Sequence, residues 1–164
     1  MENLKFRKAK ISDLDEILRL NSALFKNEID KKYDETLDAD WSCSQGGNDY
    51  FRARITEQDG FVGVIESRNQ IIGYLCGGVH NDKPLWRKIG KFAELENMLI
   101  DEKYRGIGAG SILAKEFINW CKKSGVERIC VKASASNLKA IEFYRALGFN
   151  DYDLTLEYDF NISP

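Results

Sequence analysis

The amino-acid sequence predicts one mixed α/β (α+β) domain, on two observations. Segments with apolar residues at every second position occur among segments with apolar residues at helical spacing, in the order β-α-α-β-β-β-α-β-α-β. The chain has 164 residues, of which 43% are hydrophobic and 12% aromatic, so residues 1–164 suit a single domain with a sizeable core. The order predicts antiparallel strands in the N-terminal part and a βαβ unit near the C-terminal end.

The N-terminal third holds one predicted strand and two predicted helices. Residues 4–7 form a short β-rich run. Residues 11–24 keep apolar side chains at helical spacing and begin at Ser12, a residue type that caps helices, so they predict the first helix. Residues 26–48 are polar and predict a long connection, and residues 49–58 fit a second helix.

The middle of the chain predicts a β-hairpin, a loop and a further strand. Residues 61–67 and 71–80 are rich in β-branched and aromatic side chains, and they enclose the polar turn 68–70. Residues 81–91 predict a loop. The run FAELENMLI, residues 92–100, predicts a strand that leads directly into a glycine-rich turn.

The C-terminal third completes the βαβ unit and adds one helix and one strand. Helical spacing follows the glycine-rich turn up to about Lys123, and residues 127–134 read as a strand. Residues 137–147 place apolar side chains on one helical face, and Gly148 can end that helix in the left-handed conformation. Residues 153–160, DLTLEYDF, are predicted as a closing strand.

Charge and composition exclude several classes of function. The net charge of −2 gives no general footprint for nucleic acid. No apolar run approaches the ~18 residues of a membrane span, and the N-terminus lacks the apolar core of a secretory signal. We therefore predict a cytoplasmic protein that binds neither nucleic acid nor membrane. Four cysteines without a C-x-x-C pair, and one histidine, predict buried or half-buried thiols and no metal site.

The turn between residues 100 and 111 carries the strongest chemical signal. Gly106, Gly108 and Gly110 follow Arg105 where a strand becomes a helix. The first turn of a helix has N–H groups without internal partners, and glycine lets its backbone approach an anion closely. Arg105 adds a permanent cation with forked donors. These features predict a diphosphate cradle; the alternative is a tight turn that needs glycine only for its geometry.

Two common nucleotide-binding patterns fit this turn badly. A P-loop needs lysine and then serine or threonine after its second conserved glycine, whereas here Ser111 follows Gly110 with no lysine. The dinucleotide fingerprint G-x-G-x-x-G has another spacing and normally opens the first βα unit of its domain.

The run from Arg105 to Gly110 matches R/Q-x-x-G-x-G/A, and in this it resembles the GNAT N-acetyltransferase superfamily. The stretch LENMLIDEKYRGIGAGSIL is similar to that family's fourth strand, turn and third helix, and VKASASNLKAIEFYRALGF to its fifth strand and fourth helix. The second motif fits at Asn137, Ala140, Tyr144, Gly148 and Phe149. The resemblance implies a mostly antiparallel sheet flanked by helices, and acetyl transfer from acetyl-CoA to a primary amine of a small molecule or peptide.

The same resemblance implies residues that bind acetyl-CoA. The pyrophosphate would be bound by Arg105, Gly106, Ile107, Gly108, Ala109, Gly110 and Ser111. The backbone of Met98, Leu99 and Ile100 would hydrogen-bond the acetyl carbonyl and the pantetheine arm. Asn137 would contact the pantetheine arm, and it is also a good helix N-cap. Tyr144, which also contacts the cosubstrate, stands where the family often has the acid that serves the leaving thiolate.

Two glutamates are candidates for the base that takes the proton of the amine. Glu94 and Glu96 lie on the predicted strand 92–100, where family members place a catalytic glutamate, with Glu96 preferred. Period-two alternation places both on the same face as Met98. The alternatives are an ordered water chain as base, or two glutamates that are only solvated or salt-bridged. Lys132 stands where some relatives carry a strand-five glutamate.

The sequence says less about the acceptor. Two stretches carry acidic residues and no basic one: YDETLDAD (Asp34, Glu35, Asp38, Asp40) and the C-terminal stretch (Asp151, Asp153, Glu157, Asp159). They would attract a cationic amine, or they are simply solvated surface. Aromatic faces for an amine would come from Trp41, Tyr50, Phe51 and Trp86, unless these pack in the core.

Three further expectations concern partners and function. His80 is predicted as a surface or capping residue rather than a catalytic one. A homodimer is possible, since dimers are frequent in the family that the chain resembles. The competing function is an inactive domain that keeps the CoA cradle and serves as an acyl-CoA sensor or scaffold.

Overall fold

The computed structural model describes residues 3–80, 88 and 90–160. The helices and strands are β1 Leu4–Lys8, α1 Leu14–Asp30, α2 Gln45–Thr56, β2 Gly60–Ser67, β3 Gln70–His80, β4 Phe92–Ile100, α3 Ala109–Lys123, β5 Arg128–Val131 and α4 Leu138–Ala146. Most of the predicted loop 81–91, including Trp86, lies outside the described residues. In the part of the chain that is described, no helix is long and apolar enough to cross a membrane.

The five strands form one sheet in the order β1-β2-β3-β4-β5. The first three pairs are antiparallel, and β4 and β5 pair in parallel because α3 connects them. Helix α3 packs on one face of the sheet, and α1 and α2 pack on the other. The predicted fold class, a mostly antiparallel mixed sheet flanked by helices, is confirmed.

A buried polar link joins α1 to the sheet within the otherwise apolar core. Asn21 of α1 donates its amide to the Tyr74 hydroxyl at 2.8 Å, and the Ser42 hydroxyl donates to the Asn21 carbonyl oxygen at 2.5 Å. All three side chains are inaccessible to solvent. Because buried polar groups are stable only with partners, this link fixes the position of α1 on β3.

Two helix boundaries differ from the prediction. Helix α1 runs on to Asp30 through residues predicted as a connection, and its N-cap is Asp13 rather than Ser12. Helix α2 begins at Gln45 because the Ser44 hydroxyl caps it by accepting from the Gly47 N–H at 3.2 Å. The polar ends of both helices lack the apolar spacing that predicts a helix, and they are stabilised by the Ser44 cap in α2 and by the contact of Glu28 with Asn137 in α1.

A β-bulge at Glu96 changes which side chains share a face of β4. Cys76 of β3 pairs with Asn97, and the next residue of β3, Gly77, pairs with Leu95, so Glu96 is the extra residue. Beyond the bulge, Met98 packs in the cluster on the α3 side, whereas Glu96 contacts α2. The prediction that Met98 shares the face of the two glutamates was therefore wrong.

The predicted closing strand 153–160 is not formed. Residues 151–160 are exposed and carry no strand assignment, and β5 is only four residues long where residues 127–134 were predicted. A strand forms by pairing with a neighbour, and the outer edge of β5 has no neighbouring strand within the described chain. The predicted last helix is confirmed as α4, with Asn137 as its N-cap.

Candidate active site

A gap between β4 and β5 forms the centre of the candidate site. The two strands pair only from Phe92 to Leu95 and from Arg128 to Val131. Strand β4 continues to Ile100, so its last five residues have no ladder partner on that side among the described residues. The predicted residues Met98, Leu99 and Ile100 lie on this stretch. Their backbone groups on this edge can hydrogen-bond an extended ligand with amides of its own.

The glycine-rich loop lies at the end of this gap. Gly106 and Gly108 have φ angles of +79° and +88°, and Gly108 is the N-cap of α3. The loop is exposed, and the N–H groups of Ala109, Gly110 and Ser111 open the helix, where they have no partner inside it. N–H groups and a helix dipole in this arrangement can attract an anion, and the diphosphate cradle at this loop stays a prediction of the sequence.

Arg105 and Gly110 connect the loop to the neighbouring elements. The Arg105 Nε donates to the Ile100 carbonyl oxygen at 3.1 Å, which holds a positive charge between the end of β4 and the cradle. A Cβ on Gly110 would lie 3.4 Å from the ring of Phe143, so a small residue here lets α4 approach α3. Ile107, between the two left-handed glycines, is exposed.

Residues from both faces of the sheet meet around Tyr144. Its ring packs against Phe143 and Phe149, with ring centroids 5.2 and 5.8 Å away. Burial raises the pKa of the Tyr144 phenol to about 12, and the nearby Glu28 carboxylate adds to the effect. The Asn137 amide, besides capping α4, donates to a Glu28 carboxylate oxygen at 3.4 Å. Asn137 and Tyr144 are therefore neighbours of one acidic group.

Glu28 was not predicted as a site residue. It lies in the last turns of α1, where the sequence predicted a connection, and it reaches α4 only because the helix continues. Burial raises the pKa of its carboxyl group, and the charge of Asp34 raises it further against the opposite effect of Lys31. No local pattern in the sequence marks this residue, because its partners are distant in sequence.

Glu96 is held in a network of hydrogen bonds on the α2 side of the sheet. Its carboxylate accepts from the Tyr50 hydroxyl at 2.5 Å and from two nitrogens of Arg54, one of them at 2.9 Å. The His80 Nε2 lies 3.2 Å from the same carboxylate. The Glu96 side chain is 13% exposed and that of His80 is 31% exposed. His80 is therefore the member of the network that is most accessible to solvent.

The electrostatics of this network follow from its burial. Burial raises the pKa of the Tyr50 hydroxyl, and the neighbouring Cys76 and Glu96 raise it further, so Tyr50 stays a donor. Burial by itself would lower the pKa of Arg54, but the hydrogen bonds and charge of Glu96 outweigh it and the pKa is raised. Burial raises the pKa of the Cys76 thiol, which keeps it neutral.

Glu94 has a different environment. Its carboxylate lies 3.1 Å from the Lys132 Nζ, in an ion pair whose lysine side chain is 84% exposed. Exposed ion pairs contribute little to stability and exchange readily with water. The two predicted candidates for the base thus differ: Glu96 is fixed by Tyr50 and Arg54, whereas the ion pair that the described residues give Glu94 is with a solvated lysine.

Several of the residues that were predicted to attract or contact the amine acceptor stabilise turns or pack in the core. Asp34 accepts from the Thr36 N–H at 2.9 Å, and Asp38 accepts from the Asp40 N–H at 3.0 Å, so these carboxylates stabilise turns. The ring of Trp41 stacks on Phe25 and meets Tyr50 edge-on. Phe51 is fully buried. Among the residues that the structure describes, no group of histidine, cysteine and carboxylate side chains is arranged to hold a metal.

Comparison with known proteins decides the family. The model of the acetyltransferase (GNAT) family matches residues 16–149. The chain belongs to this family. An uncharacterized N-acetyltransferase of Methanocaldococcus jannaschii is 27% identical over 146 residues, which are 87% of this chain and 58% of that protein. The ribosomal protein bS18 alanine N-acetyltransferase of Escherichia coli is 35% identical over 66 residues, 40% of this chain and 45% of that enzyme.

The chain therefore spans about half the length of these two curated relatives. Among solved structures, the aminoglycoside N-acetyltransferase AAC(6')-Iy in complex with CoA has a TM-score of 0.77 at 14% identity. The alignment covers 99% of this chain and 97% of that one. At this identity the likeness establishes that the two proteins share the fold.

Three members of the Glu96 network in this GNAT-family chain were not predicted as catalytic. Tyr50 and Arg54 are four residues apart on α2, a spacing that places them on one helix face and that the sequence displays. The sequence does not reveal that this face covers β4. His80 was predicted as a surface or capping residue, but it is half-buried and pairs with Glu96.

Proposed function

We propose that this protein is an acetyl-CoA-dependent N-acetyltransferase that acts on a primary amine of a small molecule or peptide. The observation that carries the proposal is the continuous path from the unpaired edge of β4 to the left-handed glycine loop at the start of α3. Membership of the GNAT family supports it, as does the CoA bound to a protein of the same fold.

The residues of this path fit the two chemically different parts of CoA. The loop N–H groups, the α3 dipole and Arg105 offer positive potential for the pyrophosphate. The open backbone of Met98, Leu99 and Ile100 offers donors and acceptors for the amides of the pantetheine arm. When bound, acetyl-CoA supplies a thioester whose acetyl group passes to the amine nitrogen as the carbon–sulfur bond breaks.

Tyr144 serves the sulfur that leaves with the bonding electron pair. Its phenol pKa of about 12 exceeds the ordinary value for a thiol by ~3.5 units, which makes complete proton transfer unfavourable by roughly 5 kcal/mol. A phenol with this pKa remains protonated at neutral pH. We therefore assign Tyr144 the role of hydrogen-bond donor to the developing thiolate, which later takes its proton from solvent.

The Glu96–His80 pair is proposed to take the proton that the amine releases. Glu96 is fixed by Tyr50 and Arg54, and the imidazole of His80 lies beside it with 31% of its side chain exposed. A carboxylate beside an imidazole can orient the ring for proton transfer. Glu94 remains the alternative because its lysine partner is solvated. A homodimer and a cytoplasmic location stay predictions of the sequence.

The proposed reaction predicts release of the CoA thiol only when a suitable amine is present. The measurement is thiol release from acetyl-CoA across a panel of polyamines, aminoglycosides, amino acids and basic peptides. We expect saturable release with one class of amine and negligible release without amine. Tight binding of acetyl-CoA without release for any amine would favour the acyl-CoA sensor.

Gly108→Ala is expected to weaken binding of acetyl-CoA by ~10-fold or more, because an L-residue resists the left-handed conformation that the cradle needs. The strain also destabilises the fold by about 1–2 kcal/mol. Gly125→Ala is the matched control, since Gly125 has a φ of +70° at the other end of α3. Calorimetry should find a similar loss of stability in both variants, and a loss of affinity in Gly108→Ala alone. Equal affinities would contradict the cradle.

Glu96→Gln and Glu94→Gln separate the two candidates for the base. We expect kcat to fall by roughly 10²-fold in Glu96→Gln and by less than about threefold in Glu94→Gln, the former being the size of effect typical for a general base. The dissociation constant of acetyl-CoA should not change in either variant. A larger loss of kcat in Glu94→Gln would reverse the assignment.

Tyr144→Phe tests the role of the phenol through the pH dependence of the rate. Because a group is protonated below its pKa, a phenol with a pKa of about 12 donates at every pH from 6 to 10. The wild-type kcat should therefore show no descending limb up to pH 10. The variant should have a kcat lower by roughly 10²-fold with the same profile. A wild-type kcat that declines near pH 9–10, with no such decline in the variant, would contradict a phenol that stays protonated over this range.

A further inference from the structure

Two glycines, Gly60 of β2 and Gly78 of β3, lie side by side on the face of the sheet that α2 covers. The register of the β2–β3 ladder pairs them directly, and both are buried. Residues that are directly opposite each other in an antiparallel pair share a face of the sheet. On β3, the neighbours of Gly78 at period two are Cys76 and His80, which both contact the Glu96 carboxylate. The two glycines therefore leave a flat area in the sheet beside this carboxylate.

Arg54, in the last turn of α2, occupies the flat area. A Cβ on Gly60 would collide with the backbone of Arg54. A Cβ on Gly78 would lie 2.6 Å from the Arg54 Nη1 and 2.9 Å from its Cζ, well inside the ~3.5 Å at which non-bonded atoms attract each other. Gly78 does not have a left-handed φ angle, so its backbone torsion does not require glycine. What requires glycine at this position is the space that the guanidinium fills.

The position of the guanidinium determines the orientation of the Glu96 carboxylate. The Arg54 Nε and Nη2 donate to different oxygens of this carboxylate, as a planar fork that fits it in one orientation. The Arg54 Cζ also lies 5.7 Å from the ring centroid of Tyr50, and the arginine side chain is only 18% exposed. The oxygen that Nη2 reaches, Oε1, is the one that lies 3.2 Å from the His80 Nε2. A shift of the guanidinium would therefore change the group that His80 meets.

We propose that Gly78 is a positioning residue for the Glu96–His80 pair. By having no side chain, it lets Arg54 lie flat on β3 and hold the Glu96 carboxylate where His80 contacts it. The catalytic consequence rests on the proposed function, whereas the placement of Arg54 rests on the contacts alone. The guanidinium ends a flexible side chain, so a methyl group at position 78 would move it aside rather than separate the strands. The same methyl would lie 2.9 Å from the Asp59 carbonyl oxygen, which adds a cost in stability of its own.

A double-mutant cycle of Gly78→Ala and Arg54→Ala separates these two effects, because Arg54→Ala removes the guanidinium that the new methyl would meet. We expect Gly78→Ala to lower kcat by roughly 10- to 10²-fold in the wild-type background, the size of effect that a misplaced catalytic group produces. In the Arg54→Ala background it should lower kcat by less than about twofold, since coupled residues are not additive. The dissociation constant of acetyl-CoA should stay the same in all variants.

Gly63→Ala is the matched control. A Cβ on Gly63 would lie 2.8 Å from the ring of Phe6, a similarly close contact within the cluster on the α3 side of the sheet. Its loss of stability, measured by urea unfolding, should be the same with and without Arg54. Its kcat should stay within about twofold of the wild type in both backgrounds, because residues without shared partners act independently.

A measurement that needs neither amine nor acetyl-CoA tests the placement directly. His80 is the one histidine of the chain, so its ring gives a single signal in a ¹H–¹³C NMR spectrum. At a fixed pH, we expect Gly78→Ala and Arg54→Ala to move this signal in the same direction and Gly63→Ala to leave it in place. If the wild type releases no thiol with any amine, the proposed function fails, and the histidine signal still decides whether Gly78 positions the pair.

Three results would overturn the proposal. The first is a His80 signal that Gly78→Ala leaves unchanged. The second is a pair of kcat losses that add in full in the double variant. The third concerns a Gly78→Ala protein that does not fold: adding Arg54→Ala should then restore cooperative unfolding, because the colliding atoms are gone. A double variant that stays unfolded would show that the contact with Asp59, and not the one with Arg54, requires glycine at position 78.

Discussion

The parting of β4 from β5 is the constraint on which the candidate site depends. The two strands hold together for four pairs and then separate, so one strand offers its backbone while the other leads away to α4. Everything assigned to the cosubstrate lies along the edges of that gap or at its end. The gap also lets groups from opposite faces of the sheet meet, as Glu28 of α1 and Tyr144 of α4 do. If β4 and β5 stayed paired to the end of β4, there would be no room for the cosubstrate or for this contact between Glu28 and Tyr144.

The bulge at Glu96 places polar side chains on the α2 side of β4, beside the gap. Because of the extra residue, the side chains after the bulge lie on the opposite faces from those that strict alternation predicts. Met98 therefore packs with α3, while Glu96 and Asn97 face α2. A carboxylate placed there is mostly removed from water and is stable only because Tyr50 and Arg54 donate to it. The same donors limit its motion. The network therefore couples the stability of α2 on the sheet to the position of the carboxylate beside His80.

Local patterns in the sequence predicted what depends on neighbours along the chain. The order of the elements from β1 to α4, the glycine loop with Arg105, and the Asn137 cap of α4 all rest on residues close in sequence, and the structure has them as expected. The face of Met98, the extent of α1 and the partners of Glu96 depend on contacts across the sheet, which no periodicity encodes. The C-terminal segment differs again. A closing strand was predicted there, but residues 153–160 form none, because a strand requires a neighbouring strand to pair with.

The free space around Gly106 and Gly108 determines how the loop responds to substitutions. A Cβ on Gly106 or Gly108 meets no described atom within 4 Å, so only the backbone torsion resists an L-residue there. At Gly63, by contrast, a Cβ would lie 2.8 Å from the ring of Phe6, a side-chain contact that a smaller residue at position 6 would relieve. Genetic suppressors of a Gly63 substitution can therefore arise in its neighbours. At Gly106 and Gly108 no neighbouring side chain causes the strain, so a second substitution cannot relieve it. Reversion to glycine is then the direct way to restore the loop.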